Sequence, residues 1–234
     1  MILVTGASEG IGYACAAVLL ARTEAEVLIT GRCENRLRTA RENVPGSFRS
    51  RLLTRSSDQA CRAAVDELCA LVTDPATPLE GAILTVGTNP LYAAGPQRLH
   101  ALDSATVEHT IRTNCTHTLL LSAAILGRFR KQGHGVLIWI GSQAYKAGLP
   151  GAGLYCATKS FLTGLAASAH REYGGNGVRV HLANPALVRT PRTATIAERF
   201  AAANGVAIAE APEVAGRIVD LFLCPTPSPV EINL

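Results

Sequence analysis

Met1-Ile2-Leu3-Val4-Thr5-Gly6-Ala7-Ser8-Glu9-Gly10-Ile11-Gly12 opens the chain with three signals in a fixed order. Residues 1–4 are a short, uninterrupted apolar run, the pattern of a strand covered on both faces. Glycines follow at 6, 10 and 12, and Ala14, Ala17, Val18 and Ala21 then recur at helical spacing. Strand, glycine turn and helix in that order are the context of a dinucleotide site. Without a Cβ, Gly6, Gly10 and Gly12 let backbone amides approach a pyrophosphate, and the N-terminus of the next helix turns partial positive charge toward it. Thr5, Ser8 and Ile11 belong to the same binding turn. A glycine loop by itself is an ordinary tight turn; its position between strand and helix decides the reading.

Working outward, residues 27–30 read as a second strand, ending in Gly31-Arg32. In dinucleotide folds an acid about twenty residues beyond the glycine turn binds the ribose 2′-hydroxyl, whereas an Arg there accommodates a 2′-phosphate. Gly31 and Arg32 supply no acid and one fixed cation, which favours NADP(H) over NAD(H); Glu9 argues mildly the other way. Further along, residues 35–42 read as helix, 43–46 as a turn and 48–53 as a third strand, with Asp58 capping a helix through Ala64, Val65, Leu68 and Leu71. Residues 82–86 form a buried strand closed by Gly87, and a long helix starts at Asp103 with Asn114 in its middle, where a polar amide is costly unless paired or at the surface. Residues 136–140 and 178–182 read as the fifth and sixth strands, followed by Ser142 and by Asn184-Pro185 respectively. Residues 189–211 have the weak periodicity of a partly helical flap, 213–223 read as helix, the proline-rich 225–229 as a bend and 230–234 as a closing strand. Strands alternating with helices imply an α/β fold with a doubly wound parallel sheet (Rossmann type), as a single domain over residues 1–234.

Composition narrows the function classes. At 234 residues, 48% hydrophobic and 17% charged, the chain is long enough for one well-buried core. No apolar run approaches the roughly 20 residues that cross a bilayer. The first residues already read as a strand and carry no basic leader, so a cytoplasmic protein off the membrane is expected. Seven cysteines at irregular spacing, with no C-x-x-C pair, suggest reduced thiols and no metal site. The net charge of +4 is modest, and the basic residues between Arg32 and Arg55 lack the aromatic interleaving of a nucleic-acid surface.

A second stretch carries chemistry. Tyr155-Cys156-Ala157-Thr158-Lys159 opens an apolar repeat through Phe161, Leu162, Leu165, Ala166 and Ala169, so it lies on a helix and places Tyr155 and Lys159 on one face. An ammonium ~5 Å from a phenol at an effective dielectric of about 20 favours phenolate by roughly 3 kcal/mol. That is about 2 pK units, enough to bring a tyrosine toward a working proton donor or acceptor. Such a pair also arises by chance on amphipathic helices. What lifts it is that Gly6, Gly87, Ser142 and Pro185 all follow strands, which gathers them at the carboxyl edge of the sheet where ligands bind.

The ordered set Thr5-Gly6-x-x-x-Gly10-x-Gly12, Asn114, Ser142 and Tyr155-x-x-x-Lys159 resembles the short-chain dehydrogenase/reductase family over essentially the whole chain. The resemblance implies hydride exchange between a nicotinamide and a carbonyl or alcohol, in a ketoreductase-like, NADP(H)-preferring member. It gives Ser142 the substrate oxygen, Tyr155 the proton, Lys159 the tuning of Tyr155 and the nicotinamide ribose, and Asn114 a water linking Lys159 to solvent. Gly87, Pro185, Val188 and Thr190 would complete the cofactor site, Thr190 at the carboxamide. The family's homodimers or homotetramers often form through the helices bearing Asn114 and Tyr155. Three departures stand out: Thr85-Val86-Gly87-Thr88 replaces an Asn-Asn-Ala-Gly loop, Arg55 stands near the usual adenine-binding Asp, and Pro185-Ala186 replaces Pro-Gly. The substrate is a small carbonyl or alcohol, with Tyr92, Gln143, Tyr145 and Leu149 expected to wall the pocket and Arg189 and Arg192 at the flap edge. A catalytically silent nicotinamide sensor or scaffold is the competing reading, favoured by the altered loop at 85–88; a lyase or epimerase variant of the same scaffold is a third.

Overall fold

The computed structural model describes residues 1–224 and 230–234. Its strands are β1 (Ile2–Thr5), β2 (Val27–Gly31), β3 (Leu52–Ser56), β4 (Gly81–Leu84), β5 (Gly135–Ile140), β6 (Val178–Asn184), the short pair β7 (Val188–Arg189) and β8 (Ala209–Glu210), and β9 (Glu231–Asn233). The helices are α1 (Gly10–Arg22), α2 (Glu34–Asn43), α3 (Arg62–Thr73), α4 (Leu91–Ala94), α5 (Ser104–Ile111), α6 (His117–Gln132), α7 (Ala144–Ala147), α8 (Gly153–Tyr173), α9 (Ala194–Asn204) and α10 (Ala211–Leu223). Seven strands make one parallel sheet in the order β3-β2-β1-β4-β5-β6-β9, so the winding reverses between β1 and β4. A parallel sheet of this kind opens its ligand crevice at that reversal, on the carboxyl side.

The strands hold the centre because they are apolar on both faces. Every residue of β1, β2, β4 and β5 is buried, whereas the edge strand β3 alternates between covered and open positions. Ile2, Val4, Ile29, Ile83 and Ile138 pack on one side with α1 and α10; Leu3, Leu28, Ala82, Leu137 and Trp139 pack on the other with α3, α6 and α8. Trp139 is fully buried, and its indole N–H donates to Ser122 Oγ at 2.8 Å, removing a penalty of about 1–3 kcal/mol for an orphaned donor. Among the described residues no helix is long and apolar enough to cross a membrane.

Several local expectations are corrected. Strand β3 begins at Leu52 rather than at 48, after a 3₁₀ turn at Gly46–Phe48, because Arg51 turns its guanidinium to the end of α1 and donates to the carbonyls of Leu20, Thr23 and Ala25. Asp58 caps no helix; it accepts from Ala60 N in a tight turn, and α3 starts only at Arg62. The buried residues of α1 are Gly12, Ala14, Cys15, Ala16, Leu19 and Leu20; of the expected stripe Ala14 is buried, Ala17 and Val18 are half-buried and Ala21 is exposed. The long helix around Asn114 does start from an Asp103 cap, but a π turn at Arg112–Thr116 divides it into α5 and α6. The flap contains α9 between β7 and β8. The expected bend at 225–229 lies outside the described residues.

Candidate active site

The glycine turn lies at the reversal between β1 and β4, and a side chain from β4's end braces it. Thr85 Oγ1 donates to the Thr5 carbonyl at 2.5 Å, and Thr85 N donates to Thr5 Oγ1 at 3.2 Å. Gly6 has φ +62°, and a Cβ there would lie 2.9 Å from Thr85 Oγ1, so neither the turn's shape nor its packing admits a side chain. Thr85 therefore braces the turn with its hydroxyl and its backbone N–H. At the start of α1, Glu9 makes no side-chain cap, and no acid occupies the first turn, which leaves the helix's first amides available to an anion. Ser8 packs against Gly31, with its Oγ 3.3 Å from where a Cβ on residue 31 would sit. Arg32 next to it is exposed and takes no partner among the described residues. Its basic neighbours do have partners: Arg36 pairs with Glu9 at 3.4 Å, Arg38 with Glu42 at 4.0 Å and Arg55 with Glu67 at 3.1 Å. A nicotinamide dinucleotide fits these residues: an open helix N-terminus, a turn without side chains, and one uncommitted cation at the end of β2.

Across the reversal, α8 carries Tyr155 and Lys159 toward the end of β5. Lys159 is 5% exposed, donates to the Ile140 carbonyl at 2.8 Å, and its Nζ lies 5.5 Å from the centre of the Tyr155 ring. Burial brings its pKa down to about 8, partly opposed by nearby Cys115. Ser142 follows β5, and its hydroxyl lies near enough to Tyr155 to favour the ionised phenol. The same Oγ accepts from Ala144 N at 3.2 Å, which leaves its proton to donate. The expected downward shift of Tyr155 is reversed: desolvation raises its pKa, nearby Tyr92 adds to the rise, and the Ser142 hydroxyl only partly offsets them. Lys159 is aimed at a carbonyl and at the ring rather than at the phenol oxygen, so desolvation wins. Tyr155 is thus a neutral phenol across the physiological range, the form that donates a proton.

Asn114 sits on the π turn, 4% exposed and fully paired. Its Oδ1 accepts from Thr88 N at 2.8 Å, and its Nδ2 donates to Thr88 O at 2.8 Å and Thr158 Oγ1 at 3.0 Å. That amide clamps the strand end beyond β4 to α8, and Gly87 in that segment faces both Lys159 Nζ and Asn114 Oδ1. On the flap, Thr190 lies against Gly10, its Cγ2 3.4 Å from where a Cβ there would be, and hydrogen-bonds Thr193 at 2.8 Å; Val188 is buried. Ile11 is half-buried beside α1's core, and Pro185 O accepts from Gln143 N at 3.0 Å.

The pocket walls differ from expectation. Gln143 Nε2 donates to Leu234 O at 3.0 Å, and Tyr145 donates to Glu231, so both face β9. A small cavity of about 10 Å³ beside Tyr155 is lined instead by Asn89, Leu91, Gln97, Leu102 and residues 151–154. Tyr92 stands near Tyr155 at 37% exposure. Arg189 is held by Glu198 and Glu210, and Arg192 reaches Glu9 at 3.7 Å and the Gly87 carbonyl at 3.5 Å.

With the turn, the serine, the tyrosine and the lysine along one rim, the comparison with known proteins is direct. A family model described as short chain dehydrogenase matches residues 1–200. The chain belongs to the short-chain dehydrogenase/reductase family. It is 27% identical over 196 residues to 3-oxoacyl-(acyl-carrier-protein) reductase FabG of Escherichia coli, covering 84% of this chain and 76% of that one. It is also 27% identical over 188 residues to NADP-dependent 3-hydroxy acid dehydrogenase YdfG from another strain of that species, covering 80% and 72%. A solved structure titled as a putative betaketoacyl-ACP reductase superposes with a TM-score of 0.84 at 27% identity, covering 100% of this chain and 95% of the other. This short-chain dehydrogenase is an oxidoreductase of the carbonyl/alcohol type with ketoreductase relatives.

The sequence raised no expectation of a site role for Thr85, Thr158, Gly141, Asn184 or Glu231. Thr85 was open to view as a hydroxyl at a strand end beside the glycine turn; the others act across the sheet and leave no local signal.

Proposed function

We propose that the protein is an NADP(H)-dependent ketoreductase. The observation that carries this is the gathering of a half-buried neutral Tyr155, a nearby Ser142 hydroxyl whose proton is free to donate, and a buried ammonium at the open edge of the sheet. The nicotinamide, when bound, supplies or accepts the hydride. Ser142 donates to the substrate oxygen as negative charge develops there, and Tyr155 delivers the proton to that oxygen; a positioned acid contributes about 10² to 10⁴ in rate. Lys159 holds positive charge beneath the Tyr155 ring and offers donors to the cofactor ribose. Asn114 holds Gly87 and Thr88 in place beside that ammonium.

Thr5, Gly6, Ser8, Gly10, Ile11 and Gly12 would take the pyrophosphate side, with Gly87, Pro185, Val188 and Thr190 on the nicotinamide side. Arg32 would take a 2′-phosphate, and the NADP dependence in the name of the YdfG relative supports that preference. The segment 189–211 acts as the flap of a single domain spanning 1–234. A homo-oligomer in the cytoplasm completes the reading; exposed Ile111 and Leu119 on α5 and α6 support self-association.

Ketones, quinones and hydroxy acids screened with both nicotinamides at the absorbance of the reduced cofactor test the proposal. Turnover is expected with NADPH and a ketone. Tyr155→Phe should abolish it while NADPH affinity stays within about 3-fold, because only a proton donor is lost. A fully active Tyr155→Phe protein overturns the mechanism.

A further inference from the structure

Behind Ser142 lies a polar chain that none of the roles above uses. Asn184, the last residue of β6, is 0% exposed. Its Oδ1 accepts from the Ser142 backbone N–H at 3.1 Å. Its Nδ2 donates to Glu231 Oε1 at 3.1 Å, and the same carboxylate oxygen receives the Tyr145 hydroxyl and has the Lys146 ammonium 3.9 Å away. The register explains the meeting: β9 pairs with β6 so that Leu182 faces Glu231 and Asn184 faces Asn233, which puts the carboxylate beside the amide.

The end of β5 is shaped around that amide. A Cβ on Gly141 would lie 1.9 Å from Asn184 Oδ1, so residue 141 must be glycine for the amide to occupy its place. The loop after Gly141 is tied to the same two strands elsewhere: Gln143 N to Pro185 O at 3.0 Å, Gln143 Nε2 to Leu234 O at 3.0 Å, and Lys146 Nζ to Asn233 Oδ1 at 3.5 Å. Of these bonds, the one from Asn184 reaches the backbone of Ser142 itself.

We propose that Asn184 and Glu231 are positioning residues for the reaction: the carboxylate orients the amide, and the amide fixes the peptide that carries the Ser142 hydroxyl. This rests on the reading of Ser142 as the donor to the substrate oxygen. The polarity is specific. An amide presents its oxygen to Ser142 N–H and its NH₂ to Glu231; a carboxylate at 184 still accepts from Ser142 but faces Glu231 with like charge. A Gln at 231 turns the second bond around and satisfies a carboxylate at 184. Displacing a reacting group by about 1 Å costs on the order of 100-fold in rate, so the chemical step reports the geometry.

The experiment is a polarity swap read by single-turnover hydride transfer, KM and NADPH affinity. Asn184→Asp should slow hydride transfer about 10-fold or more while NADPH affinity stays within about 3-fold. Glu231→Gln alone keeps an acceptor for Asn184 and should remain within about 3-fold of the parent, and the double variant N184D/E231Q should return to that level. Full activity in N184D, or a loss that E231Q does not repair although the double variant unfolds at the parental temperature, overturns the proposal. If N184D does not fold, Glu231→Ala takes its place: a slowed chemical step with NADPH affinity retained supports the inference, and an unchanged rate overturns it. Ser142→Ala is run alongside. An active S142A protein sinks the reading of Ser142, whereas a crippled S142A with an active N184D sinks only the positioning roles.

Discussion

The two halves of the sheet's carboxyl edge are built in different ways. On the glycine-turn side, at β1 and β2, the groups that would meet a dinucleotide come from short consecutive stretches: turn, helix N-terminus, and Arg32 directly after its strand. On the Ser142 side, at β5, β6 and β9, the groups are placed by bonds spanning 42 residues from Ser142 to Asn184, 44 from Asn114 to Thr158 and 47 from Asn184 to Glu231. A binding surface tolerates local construction because a polyanion offers many acceptors. Proton transfer requires one oxygen in one place, and a single loop does not hold that position without long-range ties.

The sharpest way to break this contrast is at Lys159, which belongs to the reacting half. Lys159→Met should lower turnover by about 10² to 10³, as removal of a charged group from a preorganised site does. It should also raise the unfolding temperature at neutral pH by about 2–4 °C. The sign follows from the depressed pKa. Between about 8 and the 10.5 of a free lysine, the unfolded chain binds more protons than the folded one, so parental stability rises with pH through that window and is lowest below it. Thermal unfolding across this range should show the rise in the parent and lose it in the variant; a parent flat with pH refutes the buried-cation account.

The next effect belongs to the local half. Arg32→Ala should weaken NADPH about 10-fold while leaving NADH within about 3-fold, because it removes one charge-assisted contact to a 2′-phosphate. Equal losses, measured by fluorescence titration of both reduced nicotinamides, would mean that Arg32 discriminates nothing. Smallest is the brace where the halves meet. Thr85→Val keeps the shape and removes the hydroxyl, and should cost about 1–2 kcal/mol in denaturant unfolding, with Thr85→Ser restoring most of it. A neutral valine variant would show that the turn holds itself without β4.

Much of the architecture was legible in advance, for a stated reason. Strands buried on both faces read as apolar runs, and a glycine turn between such a run and a helix has few alternatives. Boundaries were less legible. Arg51 delayed β3 because its side chain serves the end of α1, and the π turn at Arg112–Thr116 interrupts a helix whose apolar spacing gives no sign of a break. The meeting of Ser142, Tyr155 and Lys159 at one edge of the sheet was legible from order and spacing, but the direction of the tyrosine's shift was not. Helical spacing shows the charge of Lys159 but not the desolvation of the phenol, and desolvation dominates. Gln143 and Tyr145, expected as pocket walls, point in the fold to β9 and the residue after it, which no local pattern could indicate.

What the chain determined by itself is the doubly wound sheet, the place of its crevice and the residue types gathered there, because periodicity, glycine turns and strand endings are local properties of a polymer with fixed backbone geometry. What only the tertiary structure decided is the electrostatic state of Tyr155 and Lys159, the bracing of the glycine turn by Thr85, and the line from Glu231 through Asn184 to Ser142. Those depend on which groups lose their water and which distant partners replace it, and desolvation is a property of the assembled core.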